Sequence, residues 1–221
     1  MRRGIQAVLL GVLSVAALCL GYGGVEVTGT FNNLGGLNQK LGSLNYARGG
    51  TGRFTYRSPM WWFGGHGGEH VGPVTLGGSG ALAHYANHAD SLKSELAAVR
   101  ASFEVGFPYN PNQRAWVRPC IEFGASGLLV YAQTLGGQSK WWFAAWSLGA
   151  MPGVELMGTL PTSSESFIGL FVKAGYAIPL SGPSWFGDNE PPRFSHRGFV
   201  LQMGLRFGKS AYQTDGDLPE Y

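Results

Sequence analysis

Two histidine-bearing stretches carry the residue types that metal binding or catalysis would need. His66-Gly-Gly-Glu69-His70 spells H-x-x-E-H, a pattern in which two histidines hold a zinc ion and the glutamate acts as base. That chemistry requires a helix, and the glycines at 64, 65, 67 and 68 each disfavour one by about 1 kcal/mol relative to alanine. In a strand His66 and His70 would share a face, but a neighbouring strand would have to supply further ligands. The expectation is a glycine-rich strand and turn with exposed histidines and no metal. The second stretch holds His84, His88, Asp90, Ser91 and Ser94, the acid, base and nucleophile types of a lipid hydrolase or acyltransferase. They gather around one expected outer loop and could form a site at its rim. No local motif fixes their geometry, so no catalytic residue is assigned and no enzyme activity is expected.

The remaining candidates read more simply as structure. Cys120 is the one cysteine left if the N-terminal leader is removed, so it has no internal disulfide partner; a small side chain filling an interior is expected rather than a reactive thiol. Gly77-Gly-Ser-Gly80 lacks the Lys-Ser/Thr of a phosphate loop and suits a curved wall. Trp61, Trp62, Trp141, Trp142, Trp146 and Trp185 could form a ligand platform, but their places near strand ends predict aromatic girdles at two membrane interfaces. No cofactor is implied.

The composition limits what could position such residues. Only 13% of the 221 residues are charged, 44% are apolar and 36 are glycine, too apolar for a disordered chain and too poor in charge for an ordinary soluble globule. The net charge of +3 is small and scattered, which gives no nucleic-acid surface. Arg2 and Arg3 precede an apolar run from Ile5 to Leu20, with Gly21 and Gly23 as small residues at a cleavage site. The run is shorter than the ~20 residues of a spanning helix, so residues 1–23 read as a secretory signal peptide. Ala16-Ala-Leu-Cys19 resembles a lipobox, but Leu18 is too large for the position before the cysteine, and lipidation is not expected.

From residue 24 to 208 the chain alternates. Strands are expected at 25–31, 57–67, 72–85, 94–107, 114–132, 140–158, 165–179 and 197–208. Leu34, Leu37, Leu41 and Leu44 recur at helical spacing over 33–45, with Asn32 or Asn33 as cap; this helix could cover a barrel mouth or plug its lumen. Short turns around 69–71, 109–113 and 159–164 are expected to alternate with longer connections, among them 84–94 and 180–196. In the last strand Phe199, Leu201, Met203, Leu205 and Phe207 oppose Gln202, Gly204 and Arg206. The same parity upstream puts Arg100, Glu104, Arg118, Glu122, Glu155, Lys173 and Arg206 on one set of faces and apolar side chains such as Phe103, Phe123, Trp146 and Leu170 on the other. Seven unpaired buried charges would cost several kcal/mol each, whereas a nearly balanced set inside one lumen can pair. A cation facing mid-bilayer costs about 2–4 kcal/mol, which accounts for the uncharged opposite face. The expected fold is all-β: a single eight-stranded antiparallel up-and-down barrel with one short helix between the first two strands, followed by a polar tail at 209–221.

These features resemble the eight-stranded bacterial outer-membrane barrels, whose last strand likewise ends on an aromatic, here in Leu205-Arg206-Phe207. The runs from Phe31-Asn-Asn-Leu34 through Leu37-Asn38, then Phe63-Gly-Gly-His-Gly-Gly68 and Leu76-Gly-Gly-Ser-Gly80, are similar to an uncharacterised glycine-rich family of that kind. The resemblance covers most of the mature chain. It implies location in the bacterial outer membrane after signal-peptide cleavage, contact with membrane lipid and insertion by the barrel-assembly machinery; it names no surface ligand and no activity. One departure is the tail, since such barrels usually finish on the terminal aromatic. The expected role is structural, surface-interacting or adhesion-like. Two rivals make opposite demands: a secreted lipocalin-like barrel binding a small apolar ligand would turn its apolar faces inward, and an outer-membrane lipid hydrolase would use the rim residues His84, His88, Asp90 and Ser91.

Overall fold

The computed structural model describes residues 21–112, 115–162, 166–187, 192 and 195–209. Most of the expected signal peptide, residues 1–20, and the expected tail from residue 210 lie outside these residues. Strict two-residue alternation produces the long strands: β1 (Tyr22–Asn32), β2 (Met60–Val71), β3 (Val74–His88), β4 (Leu92–Gly106), β6 (Ala115–Thr134), β7 (Lys140–Pro161), β8 (Ser166–Pro179) and β10 (Gly198–Lys209). Two short pieces, β5 (Tyr109–Asn112) and β9 (Ser184–Gly187), flank the long strands and pair with β6 and β7 respectively. Each long strand pairs antiparallel with the next, and β10 returns to β1, with Phe199 opposite Phe31 and Phe207 opposite Gly23. The result is a closed eight-stranded antiparallel barrel, which leaves no open edge among the long strands.

The wall is uneven in height. A tilted strand crosses a bilayer in about 9–11 residues; β1 has 11, whereas β6 has 20 and β7 has 22. The β3–β4–β6–β7 side therefore projects well beyond the rest. This corrects the expected loop pattern. The connection anticipated over 84–94 is a turn at 89–91, because β3 and β4 stay paired as far as His88 and Lys93. Strands, not a long loop, provide the height there. At the opposite end β2 turns into β3 through Gly72, whose φ of +60° is a conformation glycine adopts without penalty.

The helix α1 (Gly35–Tyr46) forms close to the expected span and resolves the choice left open for it. Leu37 and Leu41 are fully buried, packed with Leu92, Leu96, Val130, Ala132 and Phe143. The helix thus plugs the mouth at the tall end of the barrel, leaning on the inner side of the tall wall. Neither expected asparagine is the N-cap: that position is Leu34, which makes no side-chain capping bond, while Asn33 just before it accepts at Oδ1 from the Gly35 N–H at 2.9 Å and Asn32 is buried in β1. Asn38 Nδ2 donates to the Tyr56 carbonyl at 2.9 Å and its Oδ1 accepts from the Tyr56 N–H at 2.8 Å, tying the helix to the irregular segment that leads to β2.

The six expected girdle tryptophans divide. Trp61, Trp142 and Trp146 face outward, whereas Trp62 is buried in the plugged core and Trp141 and Trp185 pack partly against it. Inward parity assigned these three to the core, so the outward tryptophans collect at the outer end.

Candidate functional site

Alternation sends large apolar side chains outward all around the wall. Val25, Phe63, Phe103, Phe123, Leu148, Leu170, Leu205 and Phe207 are all exposed. The charges of both signs point inward and are buried. A soluble ligand-binding barrel would have the opposite partition; an exposed apolar belt of this extent is unfavourable in water. Among the described residues no helix is long and apolar enough to cross a membrane, a statement that leaves strands untouched.

The seven charges singled out by parity come together in the middle of the lumen. Arg100 pairs with Glu122, Lys173 bridges Glu122 and Glu104, and Glu104 pairs with Arg118. Arg118 Nη2 lies 2.7 Å from Glu155 Oε2 and its Nη1 donates to Thr75 Oγ1 at 2.9 Å. Arg206 donates through both terminal nitrogens to Glu155, at 2.7 and 2.9 Å. Such charge-assisted, bidentate bonds are the strong kind. Two members were missed. Arg206 Nε donates to His66 Nε2 at 3.2 Å, and His66 Nδ1 lies 3.3 Å from Glu26 Oε2. Accepting at Nε2 leaves the imidazole proton on Nδ1, facing Glu26. With Glu26 added, four cations face four carboxylates and the lumen is balanced. The signal for Glu26 was present, since Val25, Val27 and Phe31 fix the outward parity of β1. His66 was hidden by its glycine neighbours and corrects the expectation of exposed histidines.

Aromatic side chains complete the tier below. The Arg206 guanidinium sits 4.6 Å over the Tyr22 ring and 4.9 Å over the Phe171 ring, distances at which cation–π attraction operates. Close packing here explains one glycine: a Cβ on Gly24 would come within 2.0 Å of the Leu205 carbonyl oxygen and 2.9 Å of the His66 ring. Above the Arg100–Glu122 pair lies a cavity of about 60 Å³ lined by Asn32, Ser102, Ser126, Ser147 and His196, room for a few water molecules. Outer apolar plug, middle charge network and inner aromatic tier together fill the interior. Cys120 is a buried, free thiol among them.

The rim residues do not form a catalytic group. His84 is exposed, with Nε2 4.0 Å from Glu95 Oε2, and His88 stands about 13 Å further along the strand. Asp90 instead accepts three hydrogen bonds, from Thr51 N (2.7 Å), Thr51 Oγ1 (2.9 Å) and Gly52 N (2.8 Å). These donors hold its carboxyl below the ordinary aspartate value. Ser91 Oγ donates to Asn45 Oδ1 at 2.6 Å. Asp90 and Ser91 thus form a latch that fastens the segment after α1 to the β3–β4 turn. As for the zinc motif, His66 points into the lumen while Glu69 faces out, and no group of three metal-ligating side chains occurs among the described residues.

No family model matches the chain, and no curated protein matches it. Several solved structures do, all at low identity. The attachment invasion locus protein Ail of Yersinia pestis is 9% identical over 86% of this chain and 98% of that one, with a TM-score of 0.43. The Neisserial surface protein NspA is 13% identical over 84% and 94%, TM-score 0.41. The N-terminal barrel domain of Pseudomonas aeruginosa OprF is 12% identical over 85% and 97%, TM-score 0.37. All three are eight-stranded bacterial outer-membrane barrels.

Proposed function

We propose that the mature chain is a bacterial outer-membrane barrel with a structural and surface-interacting role, adhesion-like in kind, and that it works without a catalytic centre. The observation that carries this is the partition of side chains: an apolar belt outside and a charge-neutral network inside. Lipid is the solvent that this exterior fits, and insertion would use the barrel-assembly machinery. The filled lumen argues against a pore. The surface on offer is the projecting end, where among the described residues Arg48, Arg53, Arg57, Lys93, Lys140 and Arg197 are exposed, against exposed Asp90 and half-buried Glu95. This surplus favours partners of anionic character.

The signal peptide is expected to be removed before Tyr22 rather than after Gly23. Tyr22 is buried, pairs with Gly208 and Gly68, and lies under Arg206; a cut two residues later would delete it. Two measurements test the proposal. The protein should fractionate with outer membranes and migrate faster on a gel before boiling than after. The mature N-terminus, read by mass spectrometry, should be Tyr22 or earlier. Recovery from the periplasm without detergent would overturn the membrane assignment.

A further inference from the structure

The projecting wall has two apolar sides, and only one is covered. Inside, α1 covers it with Leu37 and Leu41. Outside, a groove of about 910 Å³ runs obliquely across β2, β3, β4, β6 and β7 to β9, at the upper end of the ~300–1,000 Å³ typical of small-molecule sites. Its floor is made of small residues, Ala97, Gly127 and Ala144, and its walls are aromatic: Trp61 and Phe63 at one end, Trp146 and Phe186 at the other. Phe63 and Val99 at its lower rim belong to the exposed apolar belt. Ala144 and Trp146 lie beyond the first ~11 residues of β7 counted from Pro161, the length that crosses a bilayer. An apolar channel therefore leaves the belt and climbs the wall above it, where apolar surface is unfavourable in water.

We propose that this groove binds an acyl chain of an outer-leaflet lipid, drawn up from the membrane along the wall. The inference rests on the membrane placement proposed above. Continuity with the belt selects the occupant: a chain can slide from bilayer to groove without its methylenes crossing water, and nothing on the floor offers a charge or hydrogen bond to a polar ligand. The narrow floor suits an unbranched chain. Polar groups enter at its upper edge, where His84 and Tyr85 line it, His84 lies 4.0 Å from Glu95 and Tyr131 OH donates to Gln133 at 2.8 Å nearby; there a headgroup would emerge.

The test uses the full mature barrel in lipid nanodiscs that contain a phospholipid with brominated acyl chains, a short-range quencher of tryptophan fluorescence. The contribution of Trp146 is obtained by difference from Trp146→Phe, and that of Trp61, at the belt, from Trp61→Phe. Both should be quenched. Ala144→Leu, which adds apolar volume to the floor and displaces about two methylenes of the chain, should weaken occupancy seen at Trp146 about tenfold and leave Trp61 quenched. An unquenched Trp146 beside a quenched Trp61 overturns the groove, as does a Trp146 signal that Ala144→Leu leaves unchanged. A barrel that forms dimers across this face also overturns it, in favour of a second copy as occupant. Loss of quenching at both tryptophans would instead count against the membrane placement itself.

Discussion

Arg206 and Glu155 reach over β8 to form a two-point bond, Nη1 to Oε1 at 2.7 Å and Nη2 to Oε2 at 2.9 Å, with Arg118 sharing the same carboxylate at 2.7 Å. One buried glutamate on β7 therefore holds two guanidiniums from β6 and β10. Removing its charge should cost more than removing any outward side chain. Glu155→Gln leaves Arg206 without its carboxylate and Arg118 with Glu104 alone, and breaking a buried pair costs about 3–5 kcal/mol. Thermal unfolding in detergent should show a large fall in Tm, while Val154→Leu on the neighbouring outward position should stay within ~0.5 kcal/mol. Equal effects would show that the network does not hold the lumen together.

Glu26 should prove energetically coupled to His66. Their contact of 3.3 Å joins β1 to β2 and ends the chain of charges that starts at Arg100. A double-mutant cycle with Glu26→Gln and His66→Phe should return an interaction of about 0.5–3 kcal/mol. Strict additivity would place Glu26 outside the network.

The helix should be separable from the barrel. Leu37→Ala with Leu41→Ala removes two fully buried anchors, each worth about 2–5 kcal/mol. Proteases should then cut between residues 47 and 59, while the remaining barrel still migrates as a folded species. Planar bilayers should show no ion conduction in this variant, because the charged tier fills the lumen below the plug. Steady channel currents would contradict that filling.

The Asp90 latch should open in acid. Hydrogen bonds from Thr51 and Gly52 depress its folded pKa below the ordinary 3.8, so the carboxylate contributes its stabilisation above that value and loses it as pH falls through the folded pKa. Amide hydrogen exchange at Thr51 and Gly52, corrected for the intrinsic pH dependence, should accelerate below about pH 3.8 and stay slow at pH 7. Asp90→Asn, with no charge to lose, should flatten the profile. Identical profiles for the two proteins would assign the latch to other contacts.

The barrel and most of its interior could be read from parity, because wherever one side of a strand carries Arg, Glu or Lys the other must meet lipid. Arg118 and Glu155 have the inward parity of their strands, and both are buried. The method says less where both sides are apolar. Along the projecting wall Leu129, Trp142 and Trp146 face outward as parity expects, but the inner side, with Leu96, Leu128, Val130 and Phe143, has no charge to show what it meets. The inner surface there is legible only once α1 is seen to cover it. His66 escaped for a different reason: flanking glycines have no side chains with which to declare a face. The turn at 89–91 was misread as a longer loop because His84, Asn87 and His88, polar residues that suit loops, stand here on strands above the belt.

The charge network also governs the order in which the barrel can be completed. Some of its ties skip strands: Lys173 of β8 reaches Glu104 of β4, and Arg206 of β10 reaches Glu155 of β7. Ties between neighbours, such as Arg100 to Glu122 and Arg118 to Glu155, can form as β4, β6 and β7 pair. A sheet that lacks β8 and β10 carries Glu26, Glu104, Glu122 and Glu155 against Arg100 and Arg118 alone, so it has little reason to persist in lipid. Lys173 and Arg206 arrive with the last two strands and restore the balance. Insertion would then complete cooperatively, with Arg206 as the final tie when β10 docks between β8 and β1.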